Sequence, residues 1–276
     1  MTTTKHDAQT TLDVEGLTKQ FGGLLAVDGV TFQVHENTVH GLIGPNGAGK
    51  TTLFNMISGV LPATAGSIRL LDEPLDELPT WERTRRGVAR TFQNIRMFAD
   101  MRVVENVITG MHSRLSSGIG SILIRNGSFK KEERDAEAKA REQLAFVGLE
   151  QAADRRAGDL SYGDQRRLEI ARALASQPRI LLLDEPAAGM NPAETHALVP
   201  LLKKLRDERG LTLLIVEHDM HLVMSLCDKI TVINFGKRIA DGTPAQVRKH
   251  PAVIEAYLGH KAIDAKAATL MSKVRP

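Results

Sequence analysis

The chain has 276 residues, 42% hydrophobic and 25% charged, a globular composition long enough for a substantial core. Its 36 lysines and arginines exceed its 33 acids by only three, too slight an excess to argue for a nucleic-acid partner. The single cysteine, Cys227, excludes an internal disulfide. The opening MTTTKHDAQT lacks the apolar core of a secretory signal, and runs such as LLIV fall far short of the roughly 18 residues that span a bilayer.

These features lead us to expect a cytosolic chain whose membrane role would come through a partner. Cys227 lies in MSLCDKI and reads as packing.

TLDVEGLTKQFG spaces Leu12, Val14 and Leu17 loosely as a strand and ends at the Gly22-Gly23 turn. VTFQVHENTVHGLIG reads as strand, turn, strand: Val30, Phe32 and Val34, then Val39, Leu42 and Ile43, running straight into Gly44. TTLFNMISGV predicts a helix of about nine residues that stops near Gly59. GSIRLL is a short strand. From about residue 80 to 165 the texture changes. VVENVITGMH and KKEERDAEAKAREQLAFVGL have helical spacing, the latter with a solvated face of i,i+4 ion pairs, and SSGIGSILIRNGS between them is loop-like. IRMFADM, with Ile95, Met97, Phe98 and Met101, is either a local helical core or an adaptable, methionine-rich docking groove.

RRLEIARALAS is a helix and RILLLDEP a buried strand. AETHALVPLLKKLRDERG is an amphipathic helix with Gly210 past its end. LTLLIVEHD, MHLVMSLC and KITVINFGKRIADG follow as strand, helix and hairpin, and HKAIDAKAATLMSKVRP as a fraying helical tail. Apolar strands separated by helices predict an α/β fold with a parallel sheet covered on both faces. The nine histidines are scattered, without zinc spacing.

GPNGAGKTT, residues 44–52, meets the pattern G-x-x-x-x-G-K-[ST] through Gly44, Gly49, Lys50 and Thr51. Backbone N–H groups hold phosphates only if the chain curls tightly around them, and side chains would obstruct the curl. The helix that opens at about Gly49 adds its positive dipole end. Lys50 supplies a point charge for the outer phosphates, and the Thr51 hydroxyl suits magnesium. The expected ligand is a nucleoside triphosphate, with Asn46, Gly47, Ala48, Gly49, Lys50, Thr51 and Thr52 as its contacts. In LLLDEP, Asp184 and Glu185 emerge at the carboxyl end of a strand, where open α/β sheets bind ligands. Asp184 is the expected magnesium holder. Glu185 is the candidate base for the attacking water.

LSYGDQRRLEIARAL begins at Leu160, ahead of Asp184, and resembles the LSGGQ signature of ABC (ATP-binding cassette) ATPases. RTFQNIRMF resembles their Q-loop, with Gln93, and IVEHDM their H-loop, with His218. Phe21 stands where these proteins stack an aromatic ring on adenine, and Val27 could complete an apolar wall for the base. The resemblance covers about residues 10–260. It implies a P-loop NTPase (RecA-like) core with a small antiparallel β subdomain, an inserted helical subdomain over about 91–165, and a tail over 261–276.

The resemblance also implies that Gln93 and His218 approach the γ-phosphate, with Gln93 reaching magnesium or the attacking water. It further implies that Ser161, Gly163 and Asp164 contact the nucleotide of a second ATPase subunit. SYGDQRRLEIAR, DEPAAGMNP, VEHDM, GTPAQV and PAVIEAYLG narrow the likeness to the branch of branched-chain amino acid importers, and the long stretch between Gln93 and Leu160, including SSGIGSILIRNGSF, resembles the larger of their two ATPase subunits. Implied partners are a second ATPase subunit (a smaller relative or a copy), two permeases and, indirectly, a periplasmic binding protein, with no nucleic acid. The implied location is the cytoplasmic face of the inner membrane. Related urea or amide importers and lipopolysaccharide exporters are the alternatives, and a soluble ABC protein acting on ribosomes or DNA is a further one. Two departures stand out: Tyr162 replaces the first signature glycine with Asp164 in place of glutamine, and Asn191 stands at the acidic position of the D-loop.

Overall fold

The computed structural model describes residues 9–93, 95–111 and 127–257. The N-terminal eight residues, most of SSGIGSILIRNGS and the tail of predicted helix lie outside the described residues. The chain divides into two compact units, one built from residues 1–77 and 214–276, the other from 78–213.

In the first unit, β1 (Thr10–Phe21), β2 (Leu24–His35), β4 (Ala65–Leu70) and β5 (Glu73–Pro74) form an antiparallel sheet in the order β2-β1-β4-β5. Leu12, Val14 and Leu17 of β1 face Val34, Phe32 and Val30 of β2, and all six are buried. β2 starts six residues before Val30, where the sequence suggested a strand, because its first turn of chain, Leu24-Leu25, is exposed and breaks the alternation.

The same unit holds β3 (Val39–Ile43), every residue of which is buried, as expected for a strand covered on both faces. It runs parallel to β9 (Lys229–Asn234), and β9 turns back into β10 (Lys237–Gly242). Phe235 (φ 47°) and Gly236 (φ 78°) make the two-residue turn, the left-handed pair that matches hairpin twist. The helix Lys50–Ile57 follows β3 and buries Leu53, Phe54, Met56 and Ile57. It stops at Ser58, with Gly59 left-handed beyond it, close to the expected end. The short helix Pro244–Arg248, opened by a Thr243–Gln246 capping box, carries signals the sequence reading did not use.

In the second unit β6 (Val88–Arg90) pairs in parallel with β7 (Ile180–Asp184), again fully buried. Three helices, Val103–Gly110, Gly127–Val147 and Tyr162–Leu174, pack on one another. Gly110 permits the approach of the first of these helices to the third, since a Cβ there would lie 2.1 Å from the carbonyl of Arg172. The helix Pro192–Arg209 starts with proline after an Asn191–Glu194 capping box and ends at left-handed Gly210. β8 (Thr212–Val216), also buried throughout, lies where the two units divide.

Residues 95–101 form no helix, which overturns the local-helix reading. The fully buried Asn106 side chain accepts from the Phe98 N–H at 2.8 Å and donates to its carbonyl at 3.0 Å. Those bonds replace helical ones and leave the Phe98 ring 53% exposed.

Candidate functional site

The curl after β3 depends on residues without side chains. A Cβ on Gly44 would lie 2.0 Å from the Ile233 carbonyl, and one on Gly49 (φ 102°) 2.6 Å from that of Ala26. Gly47 (φ 76°) would project its Cβ into open space, so its glycine is required by conformation alone. The curl is braced by the β9–β10 turn: the Gly236 N–H donates to the Ala48 carbonyl at 3.0 Å, and the Asp28 N–H donates to the Gly236 carbonyl at 2.8 Å. Lys50 is buried, and its Nζ donates to the carbonyls of Gly44 (2.8 Å) and Pro45 (2.9 Å). The ammonium is thereby folded back over the loop. Asn46, Gly47 and Thr51 are exposed, Thr52 is half-buried and Ala48 is buried.

Phe21 presents a half-exposed ring beside Lys19 Nζ, 5.3 Å away. Val27 has no accessible surface and lies close to where a Gly49 Cβ would sit, so here it underlies the loop rather than facing a ligand. His218 is exposed. It follows the buried Glu217, whose carboxylate accepts from the His218 N–H at 3.0 Å. Asp219 caps the helix Met220–Leu226 through the N–H groups of His221 and Leu222.

In the second unit the acids at the end of β7 have definite partners. Asp184 accepts from Arg90 Nη2 at 2.7 Å, with both side chains almost buried. Glu185 is half-buried and left-handed at φ 48°, and its Oε2 accepts from Gln93 Nε2 at 2.8 Å. The structure thus brings Gln93 and Glu185 together. A glutamate held in a left-handed conformation is the kind of strained residue that clusters at functional sites.

Ser161 is the N-cap of Tyr162–Leu174: its Oγ accepts from the Asp164 N–H at 3.2 Å and donates to the Asp164 carboxylate at 2.9 Å. The helix starts at Tyr162, ahead of the RRLEIARALAS run that the sequence marks as helical. Gly163 is buried where a Cβ would lie 2.9 Å from Glu194 Oε1. Tyr162 donates its hydroxyl to the Ala188 carbonyl at 2.9 Å and lies against Gly189, where a Cβ would be 3.0 Å from the phenol oxygen. The departure from glycine at 162 therefore ties the signature to the loop after Glu185.

Sequence reasoning missed three residues of this neighbourhood: Arg90, Arg166 and Glu169. The last two bond the backbone of Phe92 and Gln93. Their one available signal was a pair of opposite charges, i and i+3, on a helix otherwise rich in buried residues.

The donor set fits a nucleotide with magnesium. A curl needing glycine at φ 76° and 102°, a lysine beside it and a helix start without acids suit a polyphosphate. Among the described residues no group of three or more His, Cys, Asp or Glu side chains could hold a metal by itself. Magnesium retains several waters and needs only one or two protein oxygens beside phosphate oxygens, and the exposed Thr51 hydroxyl at the helix start is a donor of that kind.

Comparison with known proteins bears on the same segments. The family model "ABC transporter" matches residues 27–188, and "Branched-chain amino acid ATP-binding cassette transporter" matches 237–263. The chain is 52% identical to the high-affinity branched-chain amino acid transport ATP-binding protein BraF of Pseudomonas aeruginosa, over 90% of this chain and 97% of that one. It is 48% identical to the corresponding LivG of Escherichia coli K12, over 91% and 99%. Among solved structures, the ADP conformation of the ATP-binding cassette MJ1267 superposes with a TM-score of 0.79 at 35% identity, covering 91% of this chain and 99% of its own.

Proposed function

This chain belongs to the ABC transporter ATP-binding family, and from that premise we propose that it is the ATPase subunit that energises import of branched-chain or similar apolar amino acids. The near-full-length likeness to BraF carries the reading, and the match of residues 237–263 to the branched-chain model supports the branched-chain cargo. No helix among the described residues is long and apolar enough to cross a membrane. The likeness to BraF, named an ATP-binding protein of a transport system, is what supports assigning the membrane part of the machine to separate permease subunits.

In the proposed reaction the loop from Gly44 to Thr52 cradles the triphosphate, and Phe21 stacks on the base. Lys50 turns its ammonium from the loop carbonyls to the outer phosphates. Thr51 and Asp184 would hold magnesium, which would neutralise phosphate charge and orient the leaving group. Glu185 orients the attacking water and takes its proton, and Gln93 and His218 position that water and the γ-phosphate. Ser161, Gly163 and Asp164 serve the nucleotide of a second ATPase subunit. Closure of that pair is then favoured only by the triphosphate form, because a ligand shifts an equilibrium only through its differential affinity. Cleavage removes the preference, and the pair's opening drives the permeases at the cytoplasmic membrane face.

The test is uptake of leucine, isoleucine and valine by proteoliposomes holding this chain with its companion subunits, with phosphate release followed in parallel. Lys50→Ala should abolish both and weaken nucleotide binding at least tenfold, since a phosphate-facing charge is lost. Unchanged uptake in that variant would overturn the reading. Hydrolysis stimulated by another solute class alone would reassign the cargo and leave the ATPase standing.

A further inference from the structure

Arg166 and Glu169 form a buried ion pair, with side chains 3% and 2% exposed and 3.1 Å apart in the helix Tyr162–Leu174. Neutralising each other does not exhaust their bonding. Arg166 Nη1 donates to the Phe92 carbonyl at 2.7 Å, and Nη2 donates to the carbonyl of Gln93. Glu169 Oε1 accepts from the Phe92 N–H at 3.0 Å. Phe92 and Gln93 follow β6 in a stretch without secondary structure, so no ladder fixes their backbone polar groups. Two charged side chains from a helix more than seventy residues away do so instead.

The same guanidinium reaches the other flank of the Gln93–Glu185 contact. Arg166 Nη2 donates to the Tyr162 hydroxyl at 3.3 Å, and that hydroxyl donates to Ala188, three residues past Glu185. The Tyr162 ring lies 5.6 Å from the Arg166 guanidinium carbon. A buried ion pair is a poor stabiliser, because desolvation offsets its attraction and apolar residues of similar size often serve as well. Its bonds to a loop backbone, by contrast, are directional and charge-assisted.

We propose that Arg166 and Glu169 are positioning residues for ATP hydrolysis: by fixing the Phe92–Gln93 backbone they hold the Gln93 side chain against Glu185. The proposal rests on Glu185 being the base that serves the attacking water. Neither residue touches nucleotide; both act through Gln93.

The experiment uses the full chain assembled with its companion subunits. Arg166→Lys keeps the charge opposite Glu169, but one ammonium cannot reproduce the fork that serves two carbonyls. It should lower kcat roughly 10- to 100-fold, the scale of a misplaced catalytic group. The melting temperature should stay within a few degrees, and ATP affinity within twofold. In a Gln93→Ala background the same substitution should cause no further loss, since both act on one contact. If Arg166→Lys does not fold, the uncharged pair Arg166→Met with Glu169→Leu, which packs without a buried charge, takes its place with the same expectations. A kcat within twofold of the parent, or losses that multiply with Gln93→Ala, would overturn the proposal. Glu185→Gln is run alongside: normal turnover there would remove the base assignment itself, whatever the clamp variants do.

Discussion

Glu185 combines a left-handed backbone, φ 48°, with a side chain bonded to Gln93. A non-glycine residue pays about 1–2 kcal/mol for that conformation, since its Cβ crowds the following carbonyl. The position is thus tuned for the carboxylate's direction at the expense of stability. Glu185→Gly should stabilise the chain by about 1 kcal/mol against thermal unfolding while reducing hydrolysis at least 100-fold. Calorimetry beside a phosphate-release assay checks both halves. A less stable Gly variant would mean that the carboxylate's bonds outweigh the strain. Asp184, one residue earlier, has an ordinary strand backbone and a guanidinium partner in Arg90. The two adjacent acids therefore differ in kind: one is held by charge, the other by a strained turn.

At the scale of elements, the β9–β10 hairpin acts on the phosphate loop through Gly236, whose N–H bonds the Ala48 carbonyl. At φ 78°, and with a Cβ that would sit 2.8 Å from the Ala26 carbonyl, this position tolerates no side chain without displacement. Gly236→Ala should cost about 1–3 kcal/mol of stability and weaken nucleotide binding several-fold, because the clash and the loop share one hydrogen bond. Nucleotide titration of the folded variant decides it; unchanged affinity would make the hairpin a bystander. This dependence was invisible in the sequence, where FGK reads only as a turn. The loop itself was legible, because phosphate curl demands glycine at fixed spacing, and so were β3 and β7, whose burial on both faces leaves unbroken apolar runs. β6 was not, since three residues, Val88–Arg90, are too few to show a period. Arg166 and Glu169 were hidden for another reason. An i,i+3 charge pair on a helix reads as solvated, and only the tertiary approach of Phe92 reveals its burial. Residues 95–101 misled because apolar residues at helical spacing say nothing of a distant asparagine that captures the backbone instead.

At the scale of the whole molecule, stability against acid has an identifiable buried contributor in His40. It lies on β3, 1% exposed, with its ring 5.7 Å from that of Phe32. Its Nε2 is 2.8 Å from the Thr231 hydroxyl, which in turn donates to Asp241, and Asp241 pairs with Lys229. Burial pushes the His40 pKa down to about 3; Asp241 opposes the shift, and Lys229 and His35 reinforce it. In the unfolded chain the imidazole titrates near its ordinary 6.5. Above that pH both states are neutral there and the residue adds no pH dependence. Between 6.5 and about 3 the unfolded state binds a proton that the native state refuses, so stability falls as pH falls. The slope from this one group approaches about 1.4 kcal/mol per pH unit well below 6.5. Asp241, whose burial is outweighed by bonds from Lys229 and Thr231 so that its carboxyl is held below its usual value, adds its own loss from its ordinary 3.8 downward, where the unfolded carboxyl protonates first. His40→Gln keeps a group able to bond Thr231 but cannot take up the proton. Urea unfolding of parent and variant at a series of pH values from 7 to 4 should therefore give curves whose separation changes by about 1.4 kcal/mol per unit below pH 6, with the variant flatter. Parallel curves would mean that His40 is protonated to the same extent folded and unfolded, and that the acid sensitivity of the chain resides elsewhere.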